Sequence, residues 1–261
     1  MPYVSVMRNS SPIGRVYYED IGSYNKPVLV MQHGDGNSSQ DWKSLGYVEK
    51  LSPHFRLILI DYLGYGYSDK VYDPLAYSMP ALASDTIAVL QHLDITDAIF
   101  FGGSMGARLG YELAVNPQYA SFFQAFILNG MGTSETKFIN TFTVWAEEGG
   151  MEKVVEEMNK YMVQTFPDAV RNTFLSNDPK AYAAANKNPW PSVNEKLNLI
   201  GKPVLLICGE MADELTEMKD ASRVIPNAKM CIIPSLDHAQ AYWYSDAVVP
   251  LILPFIDKVL N

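Results

Sequence analysis

Residues 98–106 read Ala98-Ile99-Phe100-Phe101-Gly102-Gly103-Ser104-Met105-Gly106, an apolar run that ends in the pattern G-x-S-x-G. The run predicts a short buried strand, and Met105–Asn116 behind it carries apolar residues at helical spacing, so Ser104 stands at a strand-to-helix junction. The motif has a mechanical reason. A serine on a tight, strained turn exposes its hydroxyl, and small residues two before and two after it let backbone segments approach that a Cβ would hold apart. The helix N-terminus adds partial positive charge and free N–H groups, which favour a developing oxyanion. The pattern alone is common; between a buried strand and a helix it is specific.

Outward from this junction the chain alternates strands and helices. Strands are expected at Gly14–Glu19, Pro27–Gln32, Arg56–Ile60, Ala98–Gly102, Ala125–Asn129, Pro203–Cys208 and Lys229–Ile233, and helices at Ala81–Leu93, Met105–Asn116, Glu217–Ile225 and Asp246–Val259. Near-continuous apolar runs such as Leu57–Ile60 and Val204–Ile207 belong to strands buried on both faces, so the fold class is α/β, a mostly parallel central sheet with helices on both faces. One interruption, Met131 to about Lys202, is far longer than an ordinary connection and must carry structure of its own. It shows helical patterns at Lys137–Glu148, Met151–Thr165 and Pro179–Ala185. Residues 1–130 and 203–261 are therefore expected to form the core, and residues 131–202 a helical lid inserted into it.

A serine hydroxyl is a weak nucleophile near neutral pH and needs a base, which in turn needs an orienting carboxylate. Of four histidines, His92 and His54 fall on surface-type segments and His33 belongs to the loop after an early strand. His238 remains, in Ser235-Leu236-Asp237-His238-Ala239 just after the last strand, where a base projects over the carboxyl edge of the sheet. The carboxylate is sought in Gly209-Glu210-Met211-Ala212-Asp213-Glu214, one strand earlier. Asp213 is the first choice there, Glu210 the next, with Glu214 also a rival; Asp237, adjacent to His238, is disfavoured because chain neighbours seldom point at one another. The expected triad is thus Ser104, Asp213 and His238. An oxyanion hole requires two converging N–H donors, expected from Met105 and, in His33-Gly34-Asp35-Gly36, from the backbone of Asp35.

Composition sets limits on partners. The 261 residues are 48% hydrophobic and 19% charged, which suits a packed globular enzyme and excludes a disordered chain. A net charge of −9 with no Lys/Arg cluster argues against nucleic acid and anionic membranes. No stretch reaches the roughly 18–20 apolar residues of a membrane span, and the first residues lack the pattern of a signal peptide, so a cytoplasmic location is expected. Cys208 and Cys231, on strands expected to be neighbours, are read as two buried free thiols rather than a bridge, and neither as a nucleophile or metal ligand.

Taken together, the opening strand Arg15-Val16-Tyr17-Tyr18-Glu19, His33-Gly34, the turn Asp61-Tyr62-Leu63-Gly64-Tyr65-Gly66-Tyr67-Ser68-Asp69, the Ser104 junction, Gly209-Glu210 with Asp213, and His238 resemble the α/β-hydrolase superfamily. The branch is the one containing small lid-bearing esterases, enol-lactonases, C–C bond hydrolases, cofactor-free haloperoxidases and proline iminopeptidases. The chain order Ser, Asp, His is that of this architecture. Departures are Asp35, where the family more often has a small or apolar residue and where a carboxylate opposes an oxyanion unless it turns away or is protonated; Ala107, in place of a second glycine; and one extra residue between Glu210 and Asp213. The resemblance implies an acyl-enzyme on Ser104 with no metal or organic cofactor, and the aromatic and thioether residues of the lid point to a small, largely apolar ester, lactone or thioester as substrate. Phe138, Phe142, Trp145, Met158, Tyr161 and Met162 of the lid are candidates to line the pocket or to pack the lid on the core. A C–C hydrolase or haloperoxidase-like perhydrolase would use the same triad; a ligand receptor on the same fold is the reading from a different class. The expected partner is a small-molecule substrate, and the expected assembly a monomer or homodimer.

Overall fold

The computed structural model describes residues 2–136 and 139–261. The chain runs β1 (Tyr3–Arg8), β2 (Ser11–Ile21), β3 (Val28–Gln32), α1 (Ser39–Ser44), α2 (Tyr47–Leu51), β4 (Arg56–Ile60), α3 (Met79–His92), β5 (Ala98–Gly103), α4 (Met105–Val115), α5 (Pro117–Ala120) and β6 (Phe123–Asn129). It continues through α6 (Ile139–Asn159), α7 (Asp168–Ser176), α8 (Pro179–Ala185), β7 (Val204–Gly209), α9 (Leu215–Val224), β8 (Ala228–Ile233), α10 (His238–Trp243) and α11 (Ser245–Leu260). The eight strands form one sheet in the order β1-β2-β4-β3-β5-β6-β7-β8. Only the β1–β2 and β2–β4 pairs are antiparallel; from β4 to β8 every pair is parallel.

Burial explains which strands were readable. Every residue of β4, β5 and β7 is buried, as central strands of a sheet covered on both faces require. β1, which the apolar runs did not reveal, is an edge strand whose Val4 and Val6 face inward between exposed neighbours, and it turns into β2 through Asn9 and Ser10, both at positive φ. β8 closes the other edge, so Cys231 is half-buried rather than buried; Cys208 on β7 pairs with Ile232 of β8 and is fully buried, and both are free thiols.

The parallel register brings the carboxyl ends of β3, β5, β6, β7 and β8 to one edge, where α/β proteins place their ligands. Between β6 and β7 lie α6, α7, α8 and a short turn of helix at Asn194–Leu199. α6 is kinked at Gly149–Gly150, where Gly150 adopts φ +70°, and it ends at Asn159 rather than running on to Thr165. Among the described residues no helix is long and apolar enough to cross a membrane.

Candidate active site

Ser104 joins β5 to α4 at φ +53° and ψ −116°, a conformation a non-glycine residue holds only when its surroundings enforce it. The glycines around it are what allow this. A Cβ on Gly102 would lie 2.2 Å from the Gly106 backbone, and one on Gly106 would lie 2.2 Å from the Gln32 carbonyl oxygen, so α4 approaches β3 and β5 more closely than any side chain permits. The turn is tied on both sides: the Ser104 N–H donates to the Asn129 carbonyl at 2.8 Å, and its own carbonyl accepts from Ala107 and Arg108 at 2.9 and 3.1 Å.

His238 is the first residue of α10, which Asp237 and Gln240 start with reciprocal side-chain to backbone hydrogen bonds. That cap fixes where the imidazole emerges. Its Nε2 lies 3.0 Å from Ser104 Oγ, and its Nδ1 lies 3.2 Å from Oε1 of Glu214, an ion-pair distance with the ring N–H off the line of a hydrogen bond. Asp213, expected as the orienting acid, does not take that place. The loop after β7 tightens through the Ala212 N–H to the Gly209 carbonyl, which leaves Asp213 exposed on the outer side and turns the next residue, Glu214, toward the imidazole at the start of α9. Glu210 is occupied otherwise, accepting from the Ser235 N–H at 2.9 Å and so pinning the acid loop to the histidine loop. Burial opposes the charge on His238, but the Glu214 carboxylate outweighs it and the imidazole pKa is raised above 6.5. Glu214 shows the converse: burial resists ionisation, and His238 nevertheless holds its pKa below the ordinary 4.5.

The loop after β3 forms the opposite wall. His33 is fully buried, accepts the Tyr62 N–H on Nε2 and contacts the Gly34 carbonyl through Nδ1, which assigns the proton to Nδ1; burial lowers its pKa and keeps it neutral. The Asp35 N–H has no hydrogen-bond acceptor among the described residues, and the Met105 N–H, at the first position of α4, has none within its helix. The Asp35 carboxylate is taken up by three donors: the Tyr65 hydroxyl at 2.6 Å, the Tyr182 hydroxyl at 2.6 Å and the Asn186 amide at 3.1 Å.

A cavity of about 280 Å³ opens on Ser104 and His238. Met158, Tyr161 and Met162 line it, as does Asp213 at its rim. Phe142 and Trp145 do not: Trp145 packs edge-on against Phe142 and stacks on Tyr161, one layer behind the wall. Phe138 lies outside the described residues.

A family model for the alpha/beta hydrolase fold matches residues 27–173, more than half of the chain. The chain belongs to the α/β-hydrolase family. It is 25% identical, over 98% of its own length and the whole of the relative, to a putative non-heme chloroperoxidase of Synechocystis sp.. Its structure superposes with a TM-score of 0.84 on the enol-lactonase of Burkholderia xenovorans, at 22% identity over 98% of this chain and 100% of that one. With a thermophilic esterase of Thermogutta terrifontis the TM-score is 0.86, at 21% identity over 99% and 98% of the two chains. At such identities the structural likeness speaks for the fold alone.

Several lining residues of this α/β-hydrolase escaped the sequence reading. Phe166 and Phe174 pack on one another with ring centroids 4.7 Å apart, and Phe166 also meets Trp243. With Met211 and Tyr242 they form an apolar wall of the cavity, which faces the polar groups around Ser104 and His238. The signal for Trp243 and Tyr242 was their spacing behind His238, which puts them on the helix it opens. The carboxylates on the wall are Asp35, Asp213, Glu214 and Asp237, and His238 is its one basic side chain among the described residues. No Lys or Arg lines the cavity among the described residues. Nor do three potential metal-ligating side chains come together among them.

Proposed function

We propose that this α/β-hydrolase is a serine hydrolase that cleaves a small, uncharged, largely apolar ester, lactone or thioester through an acyl-enzyme on Ser104. The observation that carries this reading is the relay from Ser104 Oγ through both ring nitrogens of His238 to Glu214. His238 Nε2 accepts the Ser104 proton as Oγ attacks the carbonyl, and Glu214 stabilises the imidazolium that forms. The N–H groups of Asp35 and Met105 receive the oxyanion, and the imidazolium then gives its proton to the leaving group. Water, deprotonated by the same imidazole, releases the acyl group. The helices between β6 and β7 act as a lid over this site. The modest cavity volume and its apolar wall favour short acyl groups, and its acidic groups disfavour substrates carrying a carboxylate. Turnover of p-nitrophenyl esters from acetate to decanoate tests the reading. Hydrolysis strongest for the short esters is expected, with loss of about 10⁴-fold in Ser104→Ala; no turnover of any ester would overturn it.

The likeness to a putative non-heme chloroperoxidase favours one second reading, in which hydrogen peroxide replaces water in attack on the same acyl-enzyme and yields a peracid. Peracid formation from acetate ester and peroxide, scored by halide oxidation, distinguishes it from plain hydrolysis.

A further inference from the structure

The carboxylate of Asp35 is an unusual presence beside an oxyanion, and its partners come from two parts of the chain. Tyr65 belongs to the core turn after β4, while Tyr182 lies on α8 and Asn186 caps that helix. Tyr65, Tyr182 and Asn186 are all buried. The three donors converge on the two carboxylate oxygens, and without Asp35 two buried hydroxyls would lose their acceptor. Burial and the nearby Asp35 charge raise both tyrosine pKa values, so the hydroxyls stay protonated and donate. The same loop is held a second time from the insertion: the Asn177 amide donates to the Gly36 carbonyl at 2.7 Å, and Phe174 packs so closely on Gly36 that a Cβ there would lie 2.2 Å from its ring.

Resting on the serine-hydrolase reading above, we infer that the Asp35 side chain is a positioning group that couples the seating of α8 to the oxyanion hole. Clamped between Tyr65 of the core and Tyr182 and Asn186 of the lid, it fixes the direction of its own backbone N–H. When the lid lifts to admit substrate, Tyr182 and Asn186 leave the carboxylate and the N–H loses its aim; when the lid seats on a bound acyl group, the hole is rebuilt. Catalysis is thereby confined to the closed state.

The test compares wild type with Tyr182→Phe, Asp35→Asn and the double variant. The readouts are kcat and KM for p-nitrophenyl acetate and inhibition by a trifluoromethyl ketone, whose tetrahedral adduct places an oxyanion where the reaction does. Each single variant is expected to lose about 10- to 100-fold in kcat/KM, the cost of a misaimed donor rather than a missing one. The ketone should weaken in parallel while KM changes by less than about threefold. The double variant should cost about as much as either single one, because both break one clamp. Full kcat/KM in Tyr182→Phe, a loss of rate without loss of ketone affinity, or losses that multiply in the double variant would each overturn the inference. If Asp35→Asn fails to fold, Tyr182→Phe alone decides, since it removes a single hydroxyl. Inactivity of wild type toward every ester and toward the ketone would instead refute the serine-hydrolase reading, and this inference with it.

Discussion

Replacing Glu214 by Gln keeps the shape of the side chain but removes the charge that faces His238 Nδ1 at 3.2 Å. In the proposed mechanism the lost interaction is that between the carboxylate and the imidazolium formed in the transition state. Coulomb's law at this separation gives about 5 kcal/mol for an effective dielectric of about 20 and about 1.3 kcal/mol for that of water. The ring is one-third exposed and the carboxylate one-quarter, so the value lies between these limits, at about 2–4 kcal/mol. At 1.36 kcal/mol per factor of ten, kcat should fall roughly 30- to 1000-fold. Asp213→Asn alters an exposed rim carboxylate without a hydrogen-bond partner among the described residues and should cost less than about threefold. The assay is steady-state hydrolysis of p-nitrophenyl acetate by the two variants and wild type, with thermal unfolding to confirm that each is folded. A loss in Asp213→Asn equal to or larger than that in Glu214→Gln would refute the assignment of the orienting acid.

Because an imidazole accepts a proton only when neutral, the proposed base role of His238 and its raised pKa predict that kcat/KM rises with pH through an inflection above 6.5; Glu214→Gln should move that inflection down, as a pH–rate profile will read. Asp41, buried beneath the loop after β3 between Asn37, Ser38 and Thr173, has its carboxyl pushed up from 3.8 to about 6, mainly by burial. The folded state therefore holds a proton that the unfolded chain has released, and stability should fall by about 2–3 kcal/mol as pH rises from about 4 to 6; urea unfolding across this range should show that slope, and Asp41→Asn should flatten it. Gly106→Ala places a Cβ against the Gln32 carbonyl and should destabilise the fold by about 1–3 kcal/mol in chemical denaturation while lowering activity through displacement of Ser104. Esters of a dicarboxylic half-acid should react more slowly than uncharged esters of equal length, by kcat/KM, because acids line the cavity.

Much of the fold is legible in the chain because central parallel strands leave little ambiguity: the apolar run Leu57–Ile60 falls within the strand Arg56–Ile60 and fills all but its first position. The Ser104 junction is legible for a related reason, since the need for glycine at positions 102 and 106 is written into the motif. What spacing does not carry is the direction of a side chain within a loop. Asp213 and Glu214 are neighbours, and the turn closed by the Ala212 N–H decides which faces His238; the extra residue noted in that loop is the trace this leaves in the sequence. The apolar pattern of Met151–Thr165 misplaces the end of α6 for another reason. Tyr161 and Met162 are apolar because they line a cavity, not because they continue a helix face. Phe142 and Trp145 show the converse, aromatic residues of α6 that pack behind the wall. β1 was concealed by its own alternation, with Ser5 and Met7 turned to solvent at the sheet edge.

Hydrolysis through Ser104 requires a covalent acyl intermediate on its hydroxyl oxygen. Wild type mixed with p-nitrophenyl acetate, quenched in acid within its first turnover and examined by mass spectrometry, should carry a single acetyl group on the peptide containing Ser104, and Ser104→Ala should carry none. Ester turnover with no adduct at Ser104, or an adduct and turnover that persist in Ser104→Ala, would contradict it.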